Sequence, residues 1–257
     1  MRIERNFCGM NATTRKQGDN DMRFAKFRYK SALKPRQEYV RIKQLKIDLI
    51  AGFGRAASIR DFGGLWGVHG LYLLQGAKAL QCQHAEMVDV NPLTEFDQKV
   101  AELRKEMPLE VQMTQGDFRD AHLFDTMNPV EVALLYEVLL HQDNAVEVIK
   151  NVVAKTTRCL CIAQPVLKEE LFALPNGTAN LQFYPEELKD QLRYSGWWEK
   201  EPLPDLFSPA FWMWGQTTSY LISVLHGYGW EPTHVDTYDA SEFWNYTMMR
   251  FEPRARG

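Results

Sequence analysis

Apolar residues recur along the chain with two different periods. Over residues 31–50 they return every three or four positions, which predicts an amphipathic helix that ends at Gly52. Short apolar runs then alternate with further stretches of helical period as far as Pro165, which predicts alternating strands and helices. The predicted strands are residues 57–62, 85–90, 109–118 and 157–166, and residues 130–140 predict a further strand that runs into a loop or a short helix. The predicted helices between the strands are residues 68–80, 92–107 and 144–156.

The order of these elements predicts the fold class. Strands that alternate with helices form parallel sheets covered by the helices, so we expect an α/β protein. Towards the end of the chain, residues 217–230 predict a helix that stops at Gly227 to Gly229. Residues 233–240 and 243–253 then predict two antiparallel strands.

Residues 168–215 depart from this alternation. They are dense in proline and aromatic residues, and they are too long for a simple connection inside a compact domain. We therefore predict a functional insertion or lid here, within a single domain that spans residues 23–257. The polar residues 1–22 predict a flexible arm that precedes this domain.

The composition narrows the classes of function. The chain has 257 residues, of which 45% are hydrophobic, and its formal net charge of −3 does not favour polyanion binding over the whole chain. No apolar run approaches the roughly 20 residues that a membrane span needs, and we expect no membrane partner. The cysteines have no zinc or redox spacing, so we predict no metal site. Buried reduced thiols suit a cytoplasmic protein.

Basic residues are concentrated in residues 15–46. Arg41, Lys43 and Lys46 belong to this segment, which holds few acidic residues. We favour a solvated helix face as its interpretation. The alternative is a patch over residues 23–46 that binds an anionic partner, such as RNA or a nucleotide-linked molecule.

The stretch "RDFGGLWGVHG" at residues 60–70 lies between a predicted strand and a predicted helix. Its glycines fit neither the dinucleotide fingerprint nor the P-loop. The carboxylate of Asp61 would repel a diphosphate but attract a cation. Glycines allow a ligand to approach the backbone closely, and a helix N-terminus exposes free N–H groups. The turn therefore predicts a cationic ligand, and S-adenosylmethionine carries both a sulfonium and an ammonium group.

This stretch resembles the first motif of the class I S-adenosylmethionine-dependent methyltransferases, in which an acid after an apolar strand precedes x-Gly-x-Gly-x-Gly. Gly63 and Gly67 match the first and third glycines, whereas Leu65 replaces the second and has Gly64 beside it. The resemblance implies a Rossmann-like fold with a mostly parallel seven-stranded sheet and an antiparallel C-terminal strand. It also implies that S-adenosylmethionine is the cofactor and that Asp61, Gly63, Gly64 and Gly67 bind it.

Further residues of the family's pattern follow in the same order. Asp89 in "MVDVN" matches the acid that binds the ribose hydroxyls, and Asp117 in "QGDF" matches the acid that accepts from the adenine amino group. Phe118 would pack on the adenine ring. "LLYEVLLHQDN" matches the segment that lines the active site, which implies that Tyr136 or Glu137 faces the cofactor. Each acid alone could be a cap or a turn former, but acids at the ends of three successive strands favour the functional interpretation.

The segment "EVLLHQDN" and the aromatic insertion loosely resemble the tRNA wobble-uridine carboxymethyltransferases and related small-molecule methyltransferases. The resemblance implies methyl transfer to an O or N atom of a bulky organic or sugar-like acceptor by in-line displacement. A tRNA-modifying enzyme and a non-catalytic protein that keeps the fold are the alternatives. A nicotinamide-dependent dehydrogenase is disfavoured, because Asp61 stands where that class needs a small residue.

Candidate residues for the reaction lie after the fourth strand and in the insertion. His141 is the candidate general base, and a structural histidine is its equally weighted alternative. Trp212, Trp214 and Tyr184 are the candidate contacts to the acceptor, although most of the insertion's aromatic residues are expected to form its own core.

Overall fold

The computed structural model describes residues 35–171, 177–180, 214–240 and 243–255. The predicted arm and most of the predicted insertion, with Tyr184 and Trp212, lie outside the described residues.

The main sheet of the described residues contains seven strands: β1 (Ser58–Phe62), β2 (His84–Asp89), β3 (Glu110–Gln115), β4 (Val130–Tyr136), β5 (Thr156–Leu167), β8 (Trp230–Asp239) and β9 (Trp244–Pro253). Their order across the sheet is β3-β2-β1-β4-β5-β9-β8. The first five strands of this order are parallel, whereas β9 lies antiparallel to β5 and β8 lies antiparallel to β9. This confirms the predicted Rossmann-like α/β fold, with its mostly parallel seven-stranded sheet and antiparallel strand at the C-terminal end.

Helices cover both faces of this sheet and create two cores. The described helices are α1 (Pro35–Ala51), α2 (Leu71–Leu80), α3 (Thr94–Leu103), α4 (Ala121–Asp125), α5 (Ala145–Ala154) and α6 (Thr218–Gly227). Residues of α1, α2 and α3 pack on one face in a cluster that includes Ile50, Leu73 and Phe96. Residues of α4, α5 and α6 pack on the other face in a cluster that includes Ile149 and Leu221.

A second, two-stranded sheet joins the two described ends of the predicted insertion. Its antiparallel strands are β6 (Thr178–Asn180) and β7 (Trp214–Gln216). These strands were not predicted, because three residues are too few to establish a period of two.

The parallel register brings the carboxyl ends of β1, β2 and β4 to one edge of the sheet. Asp61 of β1 lies between Met87 of β2 and Leu134 of β4 in the pairing. In open α/β sheets this edge is where ligands bind. The glycine turn follows β1 there, so its position agrees with a role in binding.

One predicted boundary was wrong. The third strand ends at Gln115, so Asp117 and Phe118 lie beyond it in the loop before α4. The error arose because Phe118 is apolar, and apolar content alone does not locate the end of a strand. The fourth strand ends at Tyr136, and the short helix predicted as one continuation of it is a 3₁₀ turn at Leu139–His141.

Candidate cofactor site and reaction centre

The glycine turn is shaped around the side chain of Asp61. The backbone of Gly63 adopts a left-handed conformation with φ of 75°, and its N–H donates to the Val88 carbonyl at 2.8 Å. A Cβ at Gly64 would lie 2.6 Å from Cγ of Asp61, which is closer than real Cβ contacts allow. Gly64 therefore permits the carboxyl group to sit directly beneath the turn.

Leu65, which replaces the family's second glycine, anchors the turn to the next strand. Its side chain is buried in the core, and its N–H donates to Oδ2 of Asp89 at 3.1 Å. The backbone N–H at this position therefore still makes a hydrogen bond although leucine replaces glycine. The turn is tied to Asp89 of β2 by a hydrogen bond from the backbone N–H of position 65, which any residue except proline can donate.

Asp61 is wholly buried, and neither of its carboxyl oxygens has a hydrogen-bond partner. The pKa of Asp61 is raised to about 7, chiefly by burial and in addition by the nearby carboxyl of Asp89, whereas Lys46 opposes the shift. Buried polar groups in proteins are nearly always paired, so an unpaired carboxyl is a strong indication of a ligand site. A ligand with a donating cation would complete it.

Asp89 lies at the end of β2 and is mostly buried. Its carboxylate accepts the N–H groups of Leu65 and of Asn91, the latter at 3.2 Å. Burial raises the pKa of Asp89, and these backbone hydrogen bonds limit the rise. The side chain is thus held at the same edge as Asp61, where the family's pattern puts the ribose-binding acid.

Asp117 and Phe118 follow β3 and differ in accessibility. Asp117 is 37% exposed, and Nε of Arg119 donates to both of its carboxylate oxygens at 2.9 Å. Hydrogen bonds from Arg119 lower the pKa of Asp117. The Phe118 ring is buried and meets the ring of Phe62 edge-on, with centroids 5.9 Å apart.

His141 lies in the 3₁₀ turn after β4 and is half-buried. Burial lowers the pKa of His141 to about 4, and Glu137 opposes the shift. The imidazole is therefore neutral near pH 7, as a proton acceptor must be. A pKa well below the operating pH also makes it a weak base.

Tyr136, the last residue of β4, is oriented towards α1. Its hydroxyl donates to the Lys46 carbonyl at 3.0 Å, and its ring packs perpendicular to that of Tyr72. The following residue, Glu137, has a positive φ of 58°. Non-glycine residues in this conformation are uncommon, and they cluster at functional sites.

The buried position of Lys46 was not predicted from the sequence. Its ammonium group is 2% exposed and pairs with Oε1 of Glu137 at 2.8 Å, so the expectation that Lys46 lies on a solvated helix face was wrong. The Tyr246 hydroxyl donates to the same oxygen at 2.7 Å. The ammonium also lies over three tyrosine rings, at 4.8 Å from Tyr72, 5.8 Å from Tyr136 and 5.5 Å from Tyr246.

We call Lys46, Glu137, Tyr72, Tyr136 and Tyr246 the Lys46 cage. A signal for it existed in the sequence, because Lys46 stands four residues from both Ile42 and Ile50 and so shares their apolar face of α1. A lysine at such a position has to be paired or reach solvent. Its partner could not be identified from the sequence, since Glu137 and Tyr246 lie far away along the chain.

Trp214 is the one predicted acceptor contact within the described residues. It lies in β7, is half-buried, and has a buried indole N–H without a hydrogen-bond partner. Trp66, in the glycine turn, is 43% exposed.

Within the described ranges, no cluster of three or more His, Cys, Asp or Glu side chains is arranged to hold a metal ion. Among the same residues, no helix combines the length and apolar character needed to cross a membrane.

Sequence comparison finds no match to a known protein family and no similar curated protein. Comparison of structures does find matches. The magnesium protoporphyrin IX methyltransferase ChlM of Synechocystis PCC 6803, with bound SAH (S-adenosylhomocysteine), superposes with a TM-score of 0.56 and 14% identity, over 87% of this chain and 89% of that one. The chain has the class I methyltransferase fold.

Two further class I methyltransferase structures are similar to this chain. Coclaurine N-methyltransferase, bound to N-methylheliamine and SAH, gives a TM-score of 0.56 and 12% identity over 87% of this chain and 75% of that one. An O-methyltransferase family protein from Burkholderia thailandensis gives a TM-score of 0.55 and 18% identity over 86% of this chain. The present chain spans only 58% of the length of the Burkholderia protein. Because the sequence identities are low, these similarities show the fold of the chain and nothing more.

Proposed function

We propose that this protein is an S-adenosylmethionine-dependent methyltransferase that acts on a small organic acceptor. The observation that carries the proposal is the wholly buried, unpartnered carboxyl of Asp61 beneath a glycine turn at the ligand-binding edge of the sheet. The cofactor's ammonium group would supply the missing donor and positive charge. Among the described residues, none donates a hydrogen bond to this buried carboxyl group.

The residues at the sheet edge fit the other parts of the cofactor. Asp89 would accept from the ribose hydroxyls, and Asp117 would accept from the adenine amino group beside Phe118. Arg119 already donates hydrogen bonds to both carboxylate oxygens of Asp117. Adenine binding therefore requires the guanidinium group to move away or to bind the carboxylate together with the adenine amino group. When bound, S-adenosylmethionine supplies an activated methyl group with a good leaving group.

The chain's own part in the reaction is alignment and proton handling. Fixing the acceptor in line with the reacting bond can contribute about 7–11 kcal/mol to catalysis. His141 is neutral near pH 7 and follows β4, so it would accept a proton from an acceptor hydroxyl or ammonium group. A purely structural role for His141 is the alternative.

The acceptor is proposed to be a bulky organic molecule methylated on O or N. Two of the similar structures are named as enzymes of small organic molecules, magnesium protoporphyrin IX and coclaurine. The unpartnered indole N–H of Trp214 would be a donor to such an acceptor. RNA recognition through residues 23–46 receives no support from Lys46, whose ammonium group is turned inwards.

Calorimetry with S-adenosylmethionine tests the proposal without knowledge of the acceptor. We expect binding to the wild-type protein, and Asp89→Ala should abolish it because the ribose loses its acceptor. The control is Asp125→Ala, at an exposed carboxylate of α4 that is 77% accessible. No binding at millimolar cofactor would reject the proposal and favour a non-catalytic protein that keeps the fold.

A further inference from the structure

The Lys46 cage places a positive charge next to a site that we propose binds a positively charged cofactor. The ammonium is inside the protein and is held by the Glu137 carboxylate and three tyrosine rings. Burial lowers the pKa of Lys46, and Glu137 and Asp61 oppose that shift. Lys43, on the same helix, also lowers the pKa of Lys46. The cage thus holds one buried cation against the partly buried carboxylate of Glu137, within electrostatic reach of the buried carboxyl group of Asp61.

The position of the cage relates it to the proposed reaction centre. Tyr72 belongs to the first turn of α2, directly after the glycine turn. Tyr136 is the last residue of β4, which pairs with β1, and Glu137 follows it. The Lys46 ammonium is close enough to Asp61 to lower the pKa of that carboxyl group. A cation bound at Asp61 therefore lies within electrostatic reach of Lys46, to which Glu137 is paired at 2.8 Å.

We propose that the Lys46–Glu137 pair sets the relative affinity of this site for S-adenosylmethionine and for S-adenosylhomocysteine. The two ligands share their adenosine and amino-acid groups and differ in the methyl group and the positive charge on sulfur. Lys46 repels that charge and Glu137 attracts it. Their effects on the ammonium group are common to both ligands and cancel in the ratio of the two affinities. This inference rests on the proposed function and assigns the pair as specificity-determining residues of the same site.

The pair consequently controls inhibition by the product. A site that holds the neutral thioether more tightly than the sulfonium cation releases product slowly and is sensitive to the ratio of the two ligands. Two charges at buried positions interact more strongly than in water, because the effective dielectric constant is lower there. A single buried ion pair is therefore sufficient to shift this ratio measurably.

The test is the ratio of two dissociation constants, Kd for S-adenosylmethionine divided by Kd for S-adenosylhomocysteine, measured by calorimetry at one pH. Lys46→Gln should lower the ratio about tenfold, which corresponds to about 1.4 kcal/mol. Glu137→Gln should raise it by about the same factor, because Lys46 then acts unopposed. A merely structural role would change both constants together and leave the ratio fixed.

Matched controls exist on α5, where Lys150 and Glu147 form an exposed ion pair at 2.9 Å. Lys150→Gln and Glu147→Gln make the same chemical changes and should leave the ratio within about twofold of wild type, since exposed pairs are screened by solvent. Thermal unfolding confirms that each variant is folded. Glu137→Gln preserves the shape of the side chain and an acceptor oxygen for Lys46 and Tyr246, so it tests the sign even if Lys46→Gln fails to fold.

The outcomes separate this inference from the proposed function. Opposite changes of the ratio in the two cage variants support it. An unchanged ratio, or a change in the same direction in both variants, overturns it while the proposed function stands. If the wild-type protein binds neither ligand at millimolar concentration, the proposed function itself fails.

Discussion

At the scale of single residues, the carboxyl group of Asp61 opposes folding and favours binding. Its pKa of about 7 lies above the ordinary value of 3.8, chiefly because it is buried. At a pH between these two pKa values, Asp61 is protonated in the folded protein without ligand and ionised in the unfolded chain. The free energy of unfolding of the empty protein therefore falls as the pH rises from about 4 to about 7, and a bound cation removes the penalty.

Asp61→Asn should stabilise the empty protein above pH 7 while it removes cofactor binding. The amide cannot ionise, so the free energy of unfolding at pH 8 should rise on the order of 1–3 kcal/mol, with little change at pH 4. Urea denaturation at both pH values measures this. The exposed Asp125→Asn is the control, and an equal gain at pH 4 and pH 8 would contradict the electrostatic explanation.

The same carboxyl group makes cofactor affinity dependent on pH. Below about pH 7 Asp61 holds its proton and offers no charge to the cofactor's ammonium group, so affinity should fall up to about tenfold for each pH unit. Calorimetry with S-adenosylhomocysteine between pH 5.5 and pH 8 checks this prediction. A flat profile, or tighter binding at low pH, would remove Asp61 from the ammonium site.

At the scale of elements, the glycine turn joins β1 to α2 and shields the Asp61 carboxyl group. The turn contains residues with positive φ at Gly63, Gly67, His69 and Gly70. Its N–H and C=O groups also pair internally, for example Gly70 N–H with the Gly64 carbonyl at 2.9 Å. The shape of the turn is therefore fixed before any ligand binds.

Gly64→Ala should disrupt this turn. The added Cβ would overlap the Asp61 carboxyl group, so the free energy of unfolding should fall by about 1–3 kcal/mol and cofactor affinity should fall at least about tenfold. Gly227→Ala is the matched control, because a Cβ there meets nothing within 4 Å. Wild-type affinity in Gly64→Ala would show that the turn adjusts without loss.

The elements also show which features the sequence could predict. Long apolar runs and regular periods located every strand of the main sheet and five of the six described helices, because burial on a sheet face imposes those periods. The five-residue α4 was missed, since it is too short to show a helical period. The Lys46 cage was missed for another reason. Lys46 and Glu137 are 91 positions apart along the chain, and Glu137 and Tyr246 are 109 positions apart. Only the folded topology brings these residues together.

At the scale of the whole molecule, the candidate site depends on several separate parts of the fold. Asp61 comes from β1, Asp89 from β2, Glu137 from the end of β4, Tyr246 from β9 and Lys46 from α1. A ligand that contacts these residues stabilises their arrangement only in the folded state. Its binding free energy is therefore added to that of folding.

Saturating S-adenosylhomocysteine should raise the melting temperature. At a concentration 100 times its Kd it stabilises the folded state by about 2.7 kcal/mol, which corresponds to an increase in Tm on the order of 5–10 °C for a chain of this size. Differential scanning fluorimetry measures the shift. Asp89→Ala should show none, and an equal shift in that variant would indicate binding elsewhere.

The pairing of β6 with β7 has a consequence for how the predicted insertion can be replaced. Asn180 and Trp214 face each other across this small sheet, so the chain before the pair and the chain after it are held together. Connecting two fixed ends by a segment of different length changes the free energy only slowly with that length. We therefore expect that residues 181–213 can be exchanged for the corresponding residues of a relative while β6, β7 and the main sheet stay folded.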